Sequence, residues 1–186
     1  MTPAQAAGRR SRLALKRRSD KLAAPSVHCV EYRYQQIASE DLSVLKALLA
    51  VFGDAFDEPE TYGAAVPADA YLEALLRKPH FIALAAFRGD EVVGGLAAYQ
   101  LEKFERARSE IYIYDLAVQE SHRRKGVATA LVRLLQCIGR DRGAYVIFVQ
   151  ADHGDDPAIR LYESLGTREE VLHFDIRVAA GEDSDR

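Results

Sequence analysis

A single α/β domain is the architecture this sequence demands, and three observations carry that reading. Strand-like and helix-like patterns alternate from about residue 28 to residue 177. Three extended runs, Phe81–Phe87, Glu91–Leu101 and Ser109–Val118, follow one another, the first two joined by a Gly89-Asp90 turn. A helix, an apolar run from Ala144 to Gln150 and another helix come next, the alternation expected where helices cover both faces of a sheet. At 186 residues, 48% of them hydrophobic, the chain can bury a core without disulfide or metal staples.

Residues 1–27 form a basic tail. They hold seven Arg or Lys residues against one acid, Asp20, and no aromatic residue, and they read as a disordered, solvated extension. A nucleic-acid arm or a targeting segment poor in acids are the functional alternatives. The folded domain is expected over residues 28–177. There Val30, Tyr32 and Tyr34 alternate with Glu31 and Arg33 as a short strand. Ser39 opens a helix that spaces Leu42, Leu45, Leu48, Leu49 and Phe52 on one face. From Gly53 to Pro67 the chain is an acidic loop, with Asp54, Asp57, Glu58 and Glu60, long enough to serve a site. A second helix runs from about Pro67 to Arg77.

After the three-strand meander, a helix from about Gly126 to Arg140 puts Leu131, Leu134, Leu135 and Ile138 together. The Ala144–Gln150 run reads as a central strand covered on both sides. Asp156 reads as a helix N-cap with Pro157 at the first position, and Gly166 ends that helix. Residues 167–177 read as a final strand, and 178–186 as a polar tail.

Composition narrows the function. The net charge of -3 conceals an acidic body behind the basic tail, which disfavours nucleic acid as the main ligand and suits a cationic one. Cys29 and Cys137 make neither a disulfide framework nor a zinc grouping, and a reducing cytoplasm is the expected compartment. Cys137, mid-helix among apolar residues, reads as packing. No apolar run is long enough to span a bilayer, so no membrane role is expected, and the N-terminus lacks the apolar centre of a secretory signal.

The chemistry is written in Asp115-Leu-Ala-Val-Gln-Glu-Ser-His-Arg-Arg-Lys-Gly-Val-Ala-Thr129. A strand ends in a loop carrying Arg123, Arg124 and Lys125, and Gly126 and Ala128 open a helix. Unpaired N–H groups and the helix dipole favour an anionic phosphate there, and glycine permits close approach. An exposed basic turn before an amphipathic helix is the plainer alternative. A second segment, Asp156-Pro-Ala-Ile-Arg-Leu-Tyr-Glu-Ser-Leu-Gly166, follows the next strand.

The two segments, in that order on those elements, resemble the GCN5-related N-acetyltransferase superfamily. Phe81–Phe87, Ser109–Val118, Gly143–Asp152 and Arg168–Ile176 further resemble the type I aminoglycoside 3-N-acetyltransferases, the gentamicin-resistance enzymes, over about residues 45–176. The resemblance implies a mixed, mostly antiparallel sheet whose fourth and fifth strands splay apart. It implies acetyl-CoA as co-substrate, with no metal, and an aminoglycoside as acceptor, and it makes a homodimer plausible. The first motif would hold the coenzyme through Leu116, Ala117, Val118, Arg123, Arg124, Lys125, Gly126, Val127, Ala128 and Thr129, with Ala158 from the second. Tyr162 would face the thioester sulfur.

Transfer to an amine needs a proton acceptor, because only a neutral amine attacks. Asp115 is the first candidate: it shares strand parity with Ile111 and Ile113 and so interrupts an apolar face. An Asp satisfied by nearby backbone N–H groups is the alternative. Glu110 has the opposite parity and ranks lower. Asp152 and Asp155, just past a strand end, are candidates for holding cationic rings, or simply a solvated acidic loop. Backbone N–H groups at Leu116–Val118 would bind a developing oxyanion if a bulge leaves them unpaired. Tyr162 would protonate, or hydrogen-bond, the leaving thiolate; otherwise it is a core tyrosine. His122, next to the basic loop, reads as an exposed polar residue, with a phosphate contact as the alternative; His153 reads as a rival base, and His173 as strand filler. Other acceptors (a polyamine or a protein N-terminus) fit the same acidic pocket. A regulatory coenzyme-binding module without catalysis is a further reading.

Overall fold

The computed structural model describes residues 31–64, 66–176 and 178, so the expected N-terminal tail, Cys29, Val30 and nearly all of the expected C-terminal tail lie outside the described residues. Five strands form one sheet in the order β1 (Arg33–Gln36), β2 (Phe81–Arg88), β3 (Glu91–Lys103), β4 (Arg108–Val118) and β5 (Ala144–Val149). The first four pair antiparallel, while β5 lies parallel to β4. That parallel step needs a crossover, which α3 (Val127–Asp141) supplies. The mixed sheet with helices on both faces is the one the sequence implies.

Period-two alternation divides the apolar residues between the two faces. On one face Ile82, Leu84, Val93, Leu96, Ile111 and Ile113 meet Val127, Leu131 and Leu135 of α3. On the other, Phe81, Ala83, Ala85, Phe87 and Ala117 meet α1 (Leu42–Phe56) and α2 (Asp69–Leu76) through Leu45, Leu48, Phe52 and Leu72. Gly95 makes the α1 approach possible. A Cβ there would lie 2.6 Å from a methyl of Leu48 and against the carbonyl of Leu84. A π-helical turn, Glu60–Ala64, occupies the acidic loop between α1 and α2.

Three expectations fail. Residues 167–176 contain no strand, and Val171, Leu172, Phe174 and Ile176 stand exposed to solvent. Their apolar content suggested pairing, but their backbone makes no ladder. As a result β5 is an edge strand among the described residues, not a central one. Its apolar composition is used differently: Phe148 stacks on Tyr112 at 4.9 Å, and Tyr145 lies under the Arg108 guanidinium. Cys137, read as packing, is exposed on α3, because its position falls on the polar side of the helix.

Candidate active site

Ala97 pairs with Asp115, but the next residue of β3, Ala98, pairs with Ile113. Tyr114 is therefore the extra residue of a β-bulge. The bulge reverses side-chain parity along β4, which corrects the expectation that Asp115 sits with Ile111 and Ile113. Those two isoleucines face α3, whereas Asp115 turns to the α1/α2 side. There it lines a cavity of about 150 Å³ together with Tyr114, Tyr99, Leu48, Phe52 and Leu72. Glu110, expected on the opposite face from Asp115, shares that face once the extra residue is counted. It is engaged elsewhere: it accepts a hydrogen bond from Tyr145 at 3.0 Å and pairs with Lys103 at 3.5 Å.

Asp115 is half-buried, and its Oδ1 accepts a hydrogen bond from the Tyr62 hydroxyl at 3.0 Å. Burial raises its pKa above the ordinary range; the Tyr62 bond opposes the shift, and the nearby Glu58 charge adds to it. Sequence reasoning missed Tyr62. Its signal is a lone tyrosine among the acids of the Gly53–Pro67 loop, ten residues beyond Phe52, on which its ring packs.

Past the bulge the sheet opens. Pairing between β4 and β5 ends at Ile113 with Val149, while β4 continues to Val118. Residues 116–118 remain paired with β3, so only the edge facing β5 is released. The splay implied by the sequence is thus present, and its cause is the bulge one residue beyond the last β4–β5 pair.

The chain then turns through Glu120–His122 into α3. Gly126 caps α3 with φ 81°, a left-handed conformation, and no side chain caps the first turn. The first bond of this helix to leave Gly126 runs from the Ala130 N–H to its carbonyl. The N–H groups of Val127, Ala128 and Thr129 precede it, pointing outward with the helix dipole behind them. A Cβ built on Gly126 would meet nothing within 4 Å, so the cradle is open. Arg123 and Lys125 fold onto the loop, donating to the carbonyls of Val118 and Ser121 at 3.0 and 2.7 Å, with Arg124 exposed between them. Open space, free donors and three cations suit a diphosphate. His122, expected to be exposed, is buried and bonds the Tyr32 hydroxyl at 2.9 Å; burial lowers its pKa, so it stays neutral and braces the loop.

Beyond β5, α4 (Asp156–Glu163) begins one residue earlier than its sequence suggests. The cap is Asp155, whose Oδ1 accepts from the Ala158 N–H at 3.1 Å; Asp156 is already helical and Pro157 follows. That bond occupies the Ala158 N–H, a candidate coenzyme donor. Asp152 and His153 are exposed on the preceding loop. Tyr162 is half-buried on α4, its pKa pushed up to about 12 by desolvation and by the Asp155 charge. His173 bonds Gln150 and Asp175 rather than filling a strand. Among the described residues, no group of His, Cys, Asp and Glu could hold a metal ion, and no helix is long and apolar enough to cross a membrane.

An open sheet splayed at a bulge, with an uncapped basic helix start beside the opening, defines a protein of the acetyltransferase (GNAT) family. The chain belongs to that family through residues 46–167. An aminoglycoside acetyltransferase from an uncultured soil metagenomic sample is 55% identical, with a TM-score of 0.79 over 80% of this chain and 99% of its own. A second soil metagenomic aminoglycoside acetyltransferase, solved in complex with sisomicin, is 29% identical with a TM-score of 0.74 over 80% of this chain and 97% of its own. N-acetyltransferase family 8 member 2 of Rattus norvegicus is 30% identical over 86 residues, 46% of this chain. The chain spans only 38% of that relative's length.

Proposed function

We propose that this protein transfers an acetyl group from acetyl-CoA to an amine of an aminoglycoside, the 3-amine of the deoxystreptamine ring as in gentamicin. The observation that carries the acceptor class is the 55% identity, along nearly the whole of its length, to a soil aminoglycoside acetyltransferase. The 3-amine regiochemistry follows from the sequence resemblance. The acidic body would gather a polycation, an attraction screened over about 8 Å at physiological salt.

In this reading the N–H groups of Val127, Ala128 and Thr129, with Arg123, Arg124 and Lys125, hold the diphosphate. The coenzyme supplies an activated thioester. The pantetheine arm lies in the β4–β5 opening, where the released edge of Leu116–Val118 steadies the thioester carbonyl. Ala158 contributes packing rather than its N–H, which Asp155 takes.

Asp115 accepts one proton from the substrate ammonium. The freed amine forms the new N–C bond as the C–S bond breaks, and the electron pair leaves on sulfur. The second nitrogen proton ends on the thiolate, and Asp115 returns its proton to solvent. Tyr162 stays protonated at neutral pH. With its pKa near 12 against about 8.5 for an ordinary thiol, it stabilises the thiolate by a hydrogen bond more readily than by full transfer. Asp152, Asp155 and Glu110 would line the approach of cationic rings; Asp155 does so while capping α4, and Glu110 only by leaving Lys103 and Tyr145.

The test is acetylation of gentamicin, kanamycin and spermidine with acetyl-CoA, read by mass spectrometry, with the modified nitrogen located by NMR. Monoacetylation of gentamicin at the 3-amine is expected. Robust acetylation of spermidine with none on gentamicin would replace the acceptor. A chain lacking residues 1–27 is expected to retain full acetylation, since the tail has no part in this chemistry. We also place the domain at residues 28–177, in a cytoplasmic and possible homodimeric protein; sedimentation of the purified chain reads the oligomeric state.

A further inference from the structure

Tyr62 reaches Asp115 from 53 residues away, on an element the catalytic reading does not use. It sits on the π-helical turn Glu60–Ala64, a form rare in proteins and frequent at functional sites. Its ring is held on two sides by α1. Phe52 meets it edge-on at 5.9 Å, and Phe56 packs at 5.6 Å, tilted by 49°. Gly53 completes the seat, since a Cβ at Gly53 would stand 3.3 Å from the Tyr62 Cβ. The hydroxyl is thereby fixed against Oδ1 of Asp115, and among the described residues no hydrogen bond engages Oδ2.

We propose that Tyr62 is the positioning residue of Asp115: it engages Oδ1 and so presents Oδ2 to the substrate ammonium as the oxygen that takes its proton. The inference rests on Asp115 being the base. Tyr62 remains a donor throughout the working range, because burial and the Asp115 charge push its own pKa far up. The titratable groups around the pair are Glu58 from the loop before the turn, Tyr99 from β3, and Tyr112 and Tyr114 from β4. Among them Glu58 raises the Asp115 pKa, and the Tyr62 bond is the contact that lowers it. α1 and α2 add only apolar side chains to the cavity that Asp115 lines.

A purely structural Tyr62 would lower activity equally at every pH. A positioning Tyr62 leaves a pH signature, because losing a hydrogen bond to the ionised form raises the pKa of the carboxyl. The experiment follows the Asp115 carboxyl carbon by NMR in 13C-Asp-labelled protein, assigned by its loss in Asp115→Asn. Turnover with gentamicin and acetyl-CoA is measured across pH in parallel. In Tyr62→Phe, which keeps the ring in its seat, the Asp115 midpoint is expected to move up. kcat should fall about tenfold or more on the acid side of the profile, where the shifted carboxyl holds its proton. The deficit should shrink as pH rises, with the KM for acetyl-CoA unchanged. The substrate amines titrate identically in both enzymes, so a difference between them belongs to the protein. An unmoved Asp115 midpoint, or a loss of kcat constant with pH, overturns the role of Tyr62. Wild-type turnover in Asp115→Asn overturns the base assignment itself, a separate result.

Discussion

Replacing Gly126 by Ala and by Asp separates the backbone of the α3 turn from the ligand it is read to hold. Gly126 has φ 81°, so any L-residue there carries strain, about 1–2 kcal/mol. Nothing lies within 4 Å of the added Cβ, so no clash adds to that figure. Both variants should therefore melt only a few degrees lower, at about 2–4 °C per kcal/mol for a chain of this size. Their difference is electrostatic. A carboxylate about 5 Å from the two charges of a diphosphate is repelled by about 1.7 kcal/mol even at the dielectric of water, and more where solvent is excluded. Calorimetric titration with acetyl-CoA at low salt should thus find Gly126→Asp about fifteenfold or more weaker than Gly126→Ala, converting that energy by RT. The gap should narrow as salt rises. Equal affinities for the two variants would refute the reasoning, because strain is common to both and only the charge differs.

The remaining tests address the other residues. Tyr162→Phe should cut kcat about tenfold to a hundredfold while leaving acetyl-CoA affinity nearly intact, as expected when a hydrogen bond to a charged group is lost; unchanged turnover removes Tyr162 from the chemistry. The Asp115 pKa is raised by burial in the folded protein, so its ionised form opposes folding at pH 7, and the penalty fades as pH falls through the folded value. Asp115→Asn should accordingly raise the melting temperature at pH 7 and leave it unchanged near pH 3, as scanning calorimetry at both pH values would record. Gly95→Ala should destabilise by about 1–3 kcal/mol or more in urea unfolding, because its methyl would meet Leu48 at 2.6 Å. An unaltered midpoint would mean that α1 can shift away from the sheet.

What the sequence revealed tracks what local physics controls. The β2–β3–β4 meander and α3 were legible to within a residue or two, because Gly89-Asp90, Gly126 and Gly143 mark turns that need positive φ. The basic start of α3 was legible for the same reason: a helix terminus exposes its donors wherever the helix begins. Tyr62 beside Asp115 was not, since their contact depends on how α1 packs on the sheet. The bulge at Tyr114 was expected near the site but not at its position. One extra residue leaves the composition of the strand untouched while exchanging the faces of all that follows. Burial was the least legible property. His122 and Cys137 each proved the reverse of expectation, because one-dimensional pattern does not say which side of a loop or helix the sheet will cover.

The bulge also explains why a carboxylate can exist at this position. In a regular β4, Asp115 would point with Ile111 and Ile113 into the layer formed by Val127, Leu131 and Leu135 of α3, all buried. Those neighbours are aliphatic, and an unpaired buried charge costs far more than the one or two ladder bonds that a bulge sacrifices. Shifting the register by one residue moves Asp115 to the α1/α2 face, within 3.0 Å of the Tyr62 hydroxyl. The same shift is followed at once by the end of β4–β5 pairing, which frees the strand edge beside the carboxylate. A carboxylate with a hydrogen-bond partner and an open backbone edge next to it therefore share one structural origin.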